Sequence, residues 1–223
     1  VWQALSSSTL NNHTAKYYYQ DEDGRGGVTA TSPNYPITGY VIKKYNNPMD
    51  AWTGTGARHI QKAYPIIRYA EILLSYAEAL NNLTGPHTVE LDGQPYTMSR
   101  DKEEIKKAFN QVRYRAGLPG LTANQLNSTP EVQKQIERER MVEFLWENRR
   151  FYDVRRWGIY EETEQEPIRG MNPDGATKET YYQRVIPSSS SFLTRVVDKR
   201  SVWVPIPRNE MRRLPSLDQN PGY

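Results

Sequence analysis

Apolar residues recur at helical spacing most clearly between Pro65 and Asn82, where Ile66, Tyr69, Ala70, Leu73, Ala77 and Leu80 fall on one stripe. Ile67, Ile72, Leu74, Tyr76 and Ala79 widen that stripe past half the circumference, which predicts a core helix covered on more than one side. Arg68, Glu71, Ser75, Glu78 and Asn82 form a narrow polar seam on the remaining face. Pro65 suits the first turn, where a missing N–H costs nothing. A second helix is predicted from about Asp101, which with Glu104 resembles a capping box. Its buried face reads Ile105, Ala108, Phe109, Val112 and Ala116, and Gly117-Leu118-Pro119 stops it. Thr129-Pro130 reads as N-cap and first residue of a third helix reaching about Glu147. Asn148 tolerates a left-handed turn, and Arg149 to Trp157 makes a short fourth helix ended by Gly158.

Elsewhere the period is lost. Residues 1–64 are dense in Tyr, Asn, Gly, Ser and Thr, with room for one short hairpin, and Gly39 to Tyr45 has strand character between turn residues. Gly85-Pro86 breaks the chain ahead of a loop or short strand pair at 86–98. Residues 159–200 show no periodicity, Ser201 to Pro207 is extended with prolines that forbid a central strand, and Arg208 to Leu214 forms one or two helical turns. The expected class is mainly α. Residues 1–64 are a loop-rich aromatic segment, the candidate ligand face, and 65–223 are a helical region of the same domain.

Composition narrows the function. A hydrophobic fraction of 37% is low for a globular chain, but sixteen Tyr and five Trp add apolar area that keeps a polar edge. A formal charge of +3 is too mild to argue for nucleic acid, and the arginines of 138–156 are interleaved with glutamates that can pair with them. With no Cys, disulfides and thiolate metal sites are excluded. No apolar run approaches the roughly 18–20 residues of a membrane span, so attachment to a membrane is expected to come from residues outside this chain.

No catalytic pair emerges. Glu71 and Glu78 stand seven residues apart, about 10.5 Å along a helix, beyond the roughly 5–9.5 Å that glycosidases use. Glu139 and Glu143 could face each other, but Arg138, Arg140, Arg149 and Arg150 surround them, and cations favour the ionised form, the wrong direction for a general acid. An ion-pair lattice joining the third and fourth helices to the core helix is the better reading. His13, His59 and His87 lack metal-ligand spacing, and Asp21-Glu22-Asp23-Gly24 lacks the terminal acidic ligand of a calcium loop, so neither metal nor cofactor is expected. Sugar rings present apolar C–H faces rimmed by hydroxyls, which suits aromatic platforms beside amides and acids. Trp52, Tyr17, Tyr19, Tyr35 and Tyr40, with Asn34 and Asp50, are the ligand-binding candidates on that ground. Taken singly, each tyrosine is better explained by packing of the loop layer, whereas for Trp52 in its Gly-rich loop the two readings stand level. Trp157 and Trp203 are assigned to packing.

Four segments in order carry a family resemblance: Ile67-Arg68-Tyr69-Ala70-Glu71 with Tyr76-Ala77-Glu78-Ala79; Asn110 to Leu118 with Arg113 and Arg115; Glu139-Arg140 through Glu143, Glu147, Arg150, Asp153 and Arg156-Trp157-Gly158; and Trp203 to Pro207 with Gln219-Asn220-Pro221-Gly222-Tyr223. Over about residues 60–223 the chain resembles the C-terminal half of SusD/RagB outer-membrane nutrient-binding lipoproteins. The resemblance implies a helical fold with TPR-like helix pairs, long loops forming a ligand face, and a preceding N-terminal half that carries the lipid anchor. It also implies a surface-exposed lipoprotein of Bacteroidetes, capping a SusC-like TonB-dependent transporter and delivering oligosaccharide or polysaccharide without catalysis. A peptide-binding member of the family, and a helical interaction scaffold with no small ligand, are the alternatives. Asn148 stands where the family usually has Gly.

Overall fold

Arg149 fixes where the first long helix starts. Its guanidinium hydrogen-bonds the carbonyl of Ile66, and Ile66 and Ile67 form a bend ahead of the helix. The core helix therefore begins at Tyr69 and not at Pro65. Arg68 is its N-cap residue, with extended dihedrals of φ −125° and ψ 151°. This geometry is that of a computed structural model, which describes residues 3–5, 12–14, 25, 36–42, 44–47, 49–50, 57–187 and 195–223. In chain order the elements are β1 (Gln3–Leu5), β2 (Asn12–Thr14), α1 (Tyr69–Asn81), β3 (His87–Leu91), β4 (Gln94–Met98), α2 (Lys102–Arg115), α3 (Ala123–Leu126) and α4 (Thr129–Glu143). They continue with α5 (Arg149–Arg156), α6 (Tyr160–Gln165), β5 (Gly170–Met171), α7 (Lys178–Tyr181), β6 (Arg184–Val185), a 3-10 turn (Lys199–Val202) and α8 (Arg208–Arg213). The protein is mainly α. It divides into two compact units, Tyr64–Asp153 and a second built from Val1–Ala63 with Val154–Tyr223, the division falling inside α5.

In the Tyr64–Asp153 unit, α1 packs on α2 and α4. Ala70, Leu74, Ala77 and Leu80 meet Ile105, Ala108, Phe109, Val112, Val132 and Ile136 in one core. Burying a side chain such as Leu74 contributes about 1.5–3 kcal/mol. Two helices thus cover α1, as the width of its apolar stripe predicts, but the cover stops short of the whole stripe: Ile66, Ile67, Tyr69, Ile72 and Tyr76 are exposed. Asp101 caps α2 by accepting from the Glu103 and Glu104 amides at 2.8 and 3.0 Å. Ala116, expected in the buried face, is instead the exposed C-cap residue, and Gly117 follows at φ +70° with the Leu118 amide donating to Arg113 O at 3.0 Å. The short helix α3 has a complete capping box between Thr122 and Gln125. Gly120 is required, because a Cβ there would lie 2.3 Å from Asn110, whose Oδ1 accepts from the Leu121 amide at 2.8 Å.

The third helix starts one residue earlier than expected, with Ser128 as N-cap, and ends at Glu143 instead of Glu147. Trp146 and Asn148 adopt φ +64° and +60°, which turns the chain before α5. Asn148 does so cheaply; Trp146, with its Cβ, does so at a cost of about 1–2 kcal/mol. Strands β3 and β4 pair antiparallel from His87↔Met98 to Leu91↔Gln94 around Asp92-Gly93, both at positive φ. That is the dipeptide a tight two-residue hairpin demands.

In the other unit, β1 and β2 form a short antiparallel pair. Among the described residues, the strand expected over Gly39 to Tyr45 does not form: Tyr40 to Ile42 are irregular and lie between bends and turns. Gly39, at φ +71°, donates to Pro36 O at 2.8 Å, and Tyr45 also has positive φ. The Tyr181 hydroxyl donates to Gly39 O at 3.2 Å, and the Met171 amide to Thr38 O at 2.9 Å. These bonds to neighbours supply what a ladder would have supplied. Arg155 donates to the carbonyls of Ser201 and Val202 at 2.9 and 3.0 Å, tying the 3-10 turn to α5.

Candidate functional site

Of the seven ligand-binding candidates, Tyr17, Tyr19, Asn34, Tyr35 and Trp52 lie outside the described residues. Tyr40 is exposed beside the Gly39 turn. Asp50 is tied into the protein: one carboxylate oxygen accepts from the Ile60 amide at 2.8 Å and the other from Lys62. The bond from Lys62, reinforced by the one from Ile60, lowers the Asp50 pKa below its ordinary 3.8. Asp50 thus closes a loop to residues 60–62.

The signature residues of the helical unit converge on one another. Arg68 reaches Glu143 at 2.7 Å, Glu147 at 2.8 Å and the Glu143 carbonyl at 3.1 Å. Arg115 takes the other Glu143 oxygen at 2.6 Å, and Arg113 pairs with Glu139 at 2.8 Å. Arg140 grips Asp153 through two parallel bonds of 2.9 and 3.0 Å, donates to Ser75 Oγ at 3.2 Å, and lies over the Phe144 ring at 5.2 Å. Glu71 pairs with Arg149 at 2.8 Å. Burial disfavours the charged form of Arg68, yet its bonds to Glu147 and Glu143 outweigh that and raise its pKa above the usual arginine value. Glu78 is buried within α1, Arg150 is half-buried and forms no ion pair among the described residues, and Arg156 lies 4.5 Å over the Trp157 ring. Five carboxylates, Glu71, Glu139, Glu143, Glu147 and Asp153, are each committed to a guanidinium. This arrangement stitches α1, α2, α4 and α5 together and offers no pair of carboxyl groups poised across a vacant cleft.

Two aromatic surfaces escaped the sequence reading. On the uncovered side of α1, Tyr69, Ile72 and Tyr76 border a groove of about 210 Å³ whose far edge is Glu104, Lys107 and Gln111 of α2. In the other unit, Trp203, assigned above to packing, is 56% exposed on the rim of a cavity of about 530 Å³. The signal was present in the flanking prolines: with Pro205 and Pro207 unable to join a ladder, nothing buries the residues before them in a sheet.

With this geometry in place, comparison with known proteins is decisive. A model of the SusD family matches residues 2–223. The chain belongs to the SusD family. It is 26% identical over 231 aligned residues to SusD-like protein P2 of Formosa agariphila, a match covering 92% of this chain and 39% of that protein. The crystal structure of a SusD-like protein from Bacteroides fragilis superposes with a TM-score of 0.66 at 29% identity, covering 100% of this chain and 37% of that one. This SusD-family chain therefore spans about two-fifths of the length of these relatives.

Proposed function

We propose that the SusD-family protein containing this chain is a non-enzymatic, surface-exposed outer-membrane lipoprotein that binds glycans and passes them to a SusC-like TonB-dependent transporter. The observation that carries the proposal is the family match over residues 2–223. The side-chain chemistry supports it. The chain's clustered carboxylates are occupied by arginines, while its aromatic edges at Tyr40, Tyr69, Tyr76 and Trp203 are open. Binding by stacking and hydrogen bonding releases its ligand without a chemical step, as a delivery protein requires. Isothermal titration of the full-length protein against a panel of glycans tests this, together with an assay for new reducing ends. Saturable binding with no reducing ends released is expected. Silence across glycans with binding to peptides would replace the glycan by a peptide, and released reducing ends would overturn the non-enzymatic role.

A further inference from the structure

The residues from Trp203 to the end of the chain hold their own backbone in place with side chains. Gln219 accepts from the Ile206 amide at 2.8 Å and donates to the Ile206 carbonyl at 3.0 Å. Asn220 donates to Val204 O at 2.7 Å, and the Tyr223 hydroxyl donates to Trp203 O at 3.1 Å. Gly222 brings its backbone so close to Arg200 that a Cβ would stand 2.7 Å from Arg200 Cβ. The open pocket of about 530 Å³ lined by Asp198, Lys199, Arg200, Trp203, Pro221 and Gly222 is therefore pre-formed, and its size is that of a small-molecule site.

Its charge is one-sided. Asp198 is neutralised where it stands, one oxygen accepting from the Arg200 amide at 3.1 Å and the other pairing with Arg200 Nε at 2.9 Å. Lys199, and Arg208 and Arg212 beside the neighbouring cavity at Tyr223, form no ion pair among the described residues. Residues 195–223 hold six Lys and Arg against three Asp and Glu, an excess as large as that of the whole chain, +3. An open indole next to the unpaired ammonium of Lys199, with the Arg200 guanidinium beside it, suits a ring with an apolar face and an anionic substituent.

The geometry points to a subsite for an acidic saccharide: Trp203 stacks on the C–H face of a pyranose, and Lys199 and Arg200 bind its carboxylate or sulfate ester. The inference rests on the glycan-binding reading above and names the ligand class at this cavity. Arg200 is held ready for it, oriented by Asp198 and lying 5.5 Å over the Tyr223 ring.

The test is titration of the full-length protein at low salt with tetragalacturonate, a sulfated carrageenan tetrasaccharide, neutral maltotetraose and hexaglutamate. The variants are Lys199→Glu and Trp203→Ala, both at exposed positions and both checked by thermal melting. Binding of one or both acidic saccharides is expected, and which of the two binds assigns the anion as carboxylate or sulfate. Lys199→Glu should weaken that binding about tenfold or more, since it removes a charge-assisted hydrogen bond, and Trp203→Ala should weaken it by a similar factor. Acidic-saccharide binding indifferent to both variants overturns the subsite, as does hexaglutamate binding that is equally tight and equally sensitive. If neutral glycan binds and both acidic saccharides do not, the subsite falls while the glycan-binding reading stands. Silence across all three saccharides removes both.

Discussion

In the helical unit, arginines reach across to carboxylates of other elements; along residues 201–206, Arg155 of α5 and the amides Gln219 and Asn220 take backbone carbonyls instead. Arg68, Arg113, Arg115, Arg140 and Arg149 all reach an acidic side chain of another element. Arg155, Asn220 and Gln219 reach the carbonyls of residues 201, 202, 204 and 206. The reason is elementary. A helix satisfies its own N–H and C=O groups, so its polar side chains remain for contacts between elements. An extended segment interrupted by prolines has no ladder partner, so side chains must take that role. Damage in the first region should be global and damage in the second local.

The largest effect is expected at the Arg140–Asp153 pair, whose side chains are 5% and 4% exposed. Arg140→Ala strands a buried carboxylate and should cost about 3–5 kcal/mol, read from the denaturation midpoint of the full-length protein. A loss below about 1 kcal/mol would show that the lattice is decorative, against the measured norm for buried pairs. Gln219→Ala, which removes two hydrogen bonds to Ile206, should cost about 1–3 kcal/mol and do so locally. Amide exchange at Ile206 should quicken while amides of α1 and α4 keep their protection; equal loss in both places would erase the contrast. The smallest effect is at Asp50, whose folded pKa lies below its ordinary 3.8. Its contribution is complete above that ordinary value and is lost as pH falls through the lowered folded one. Asp50→Asn should therefore leave the acid side of the stability profile shallower and the neutral side slightly lower, measured by thermal melting across pH.

The helices and the polar seam were legible because a period of 3.6 leaves its mark over 13 to 15 residues, the lengths of α1, α2 and α4. Their ends were not legible to the residue. α1 starts late because Arg149, more than eighty positions away, holds the Ile66 carbonyl, and no local pattern carries that information. A strand pair was one of the two readings of 86–98; the Asp92-Gly93 dipeptide that decides for it, and the box at Thr122 and Gln125, carried signatures that went unused. The helices α6 and α7, six and four residues long, are too short to display any period. For the site the balance reverses. Aromatic content pointed to the first 64 residues, whereas the exposure of Trp203 follows from which backbone groups its neighbours bind, a long-range property.

The bend between α4 and α5 has a consequence for how this chain can vary. Arg140 meets Asp153 only because the five residues from Phe144 to Asn148 deliver α5 with the correct face presented. One residue inserted or deleted there would swing that face by about 100°, taking the carboxylate round the helix and away from its partner. The bend should thus accept changes of side chain, glycine for Asn148 among them, far more readily than any change in length.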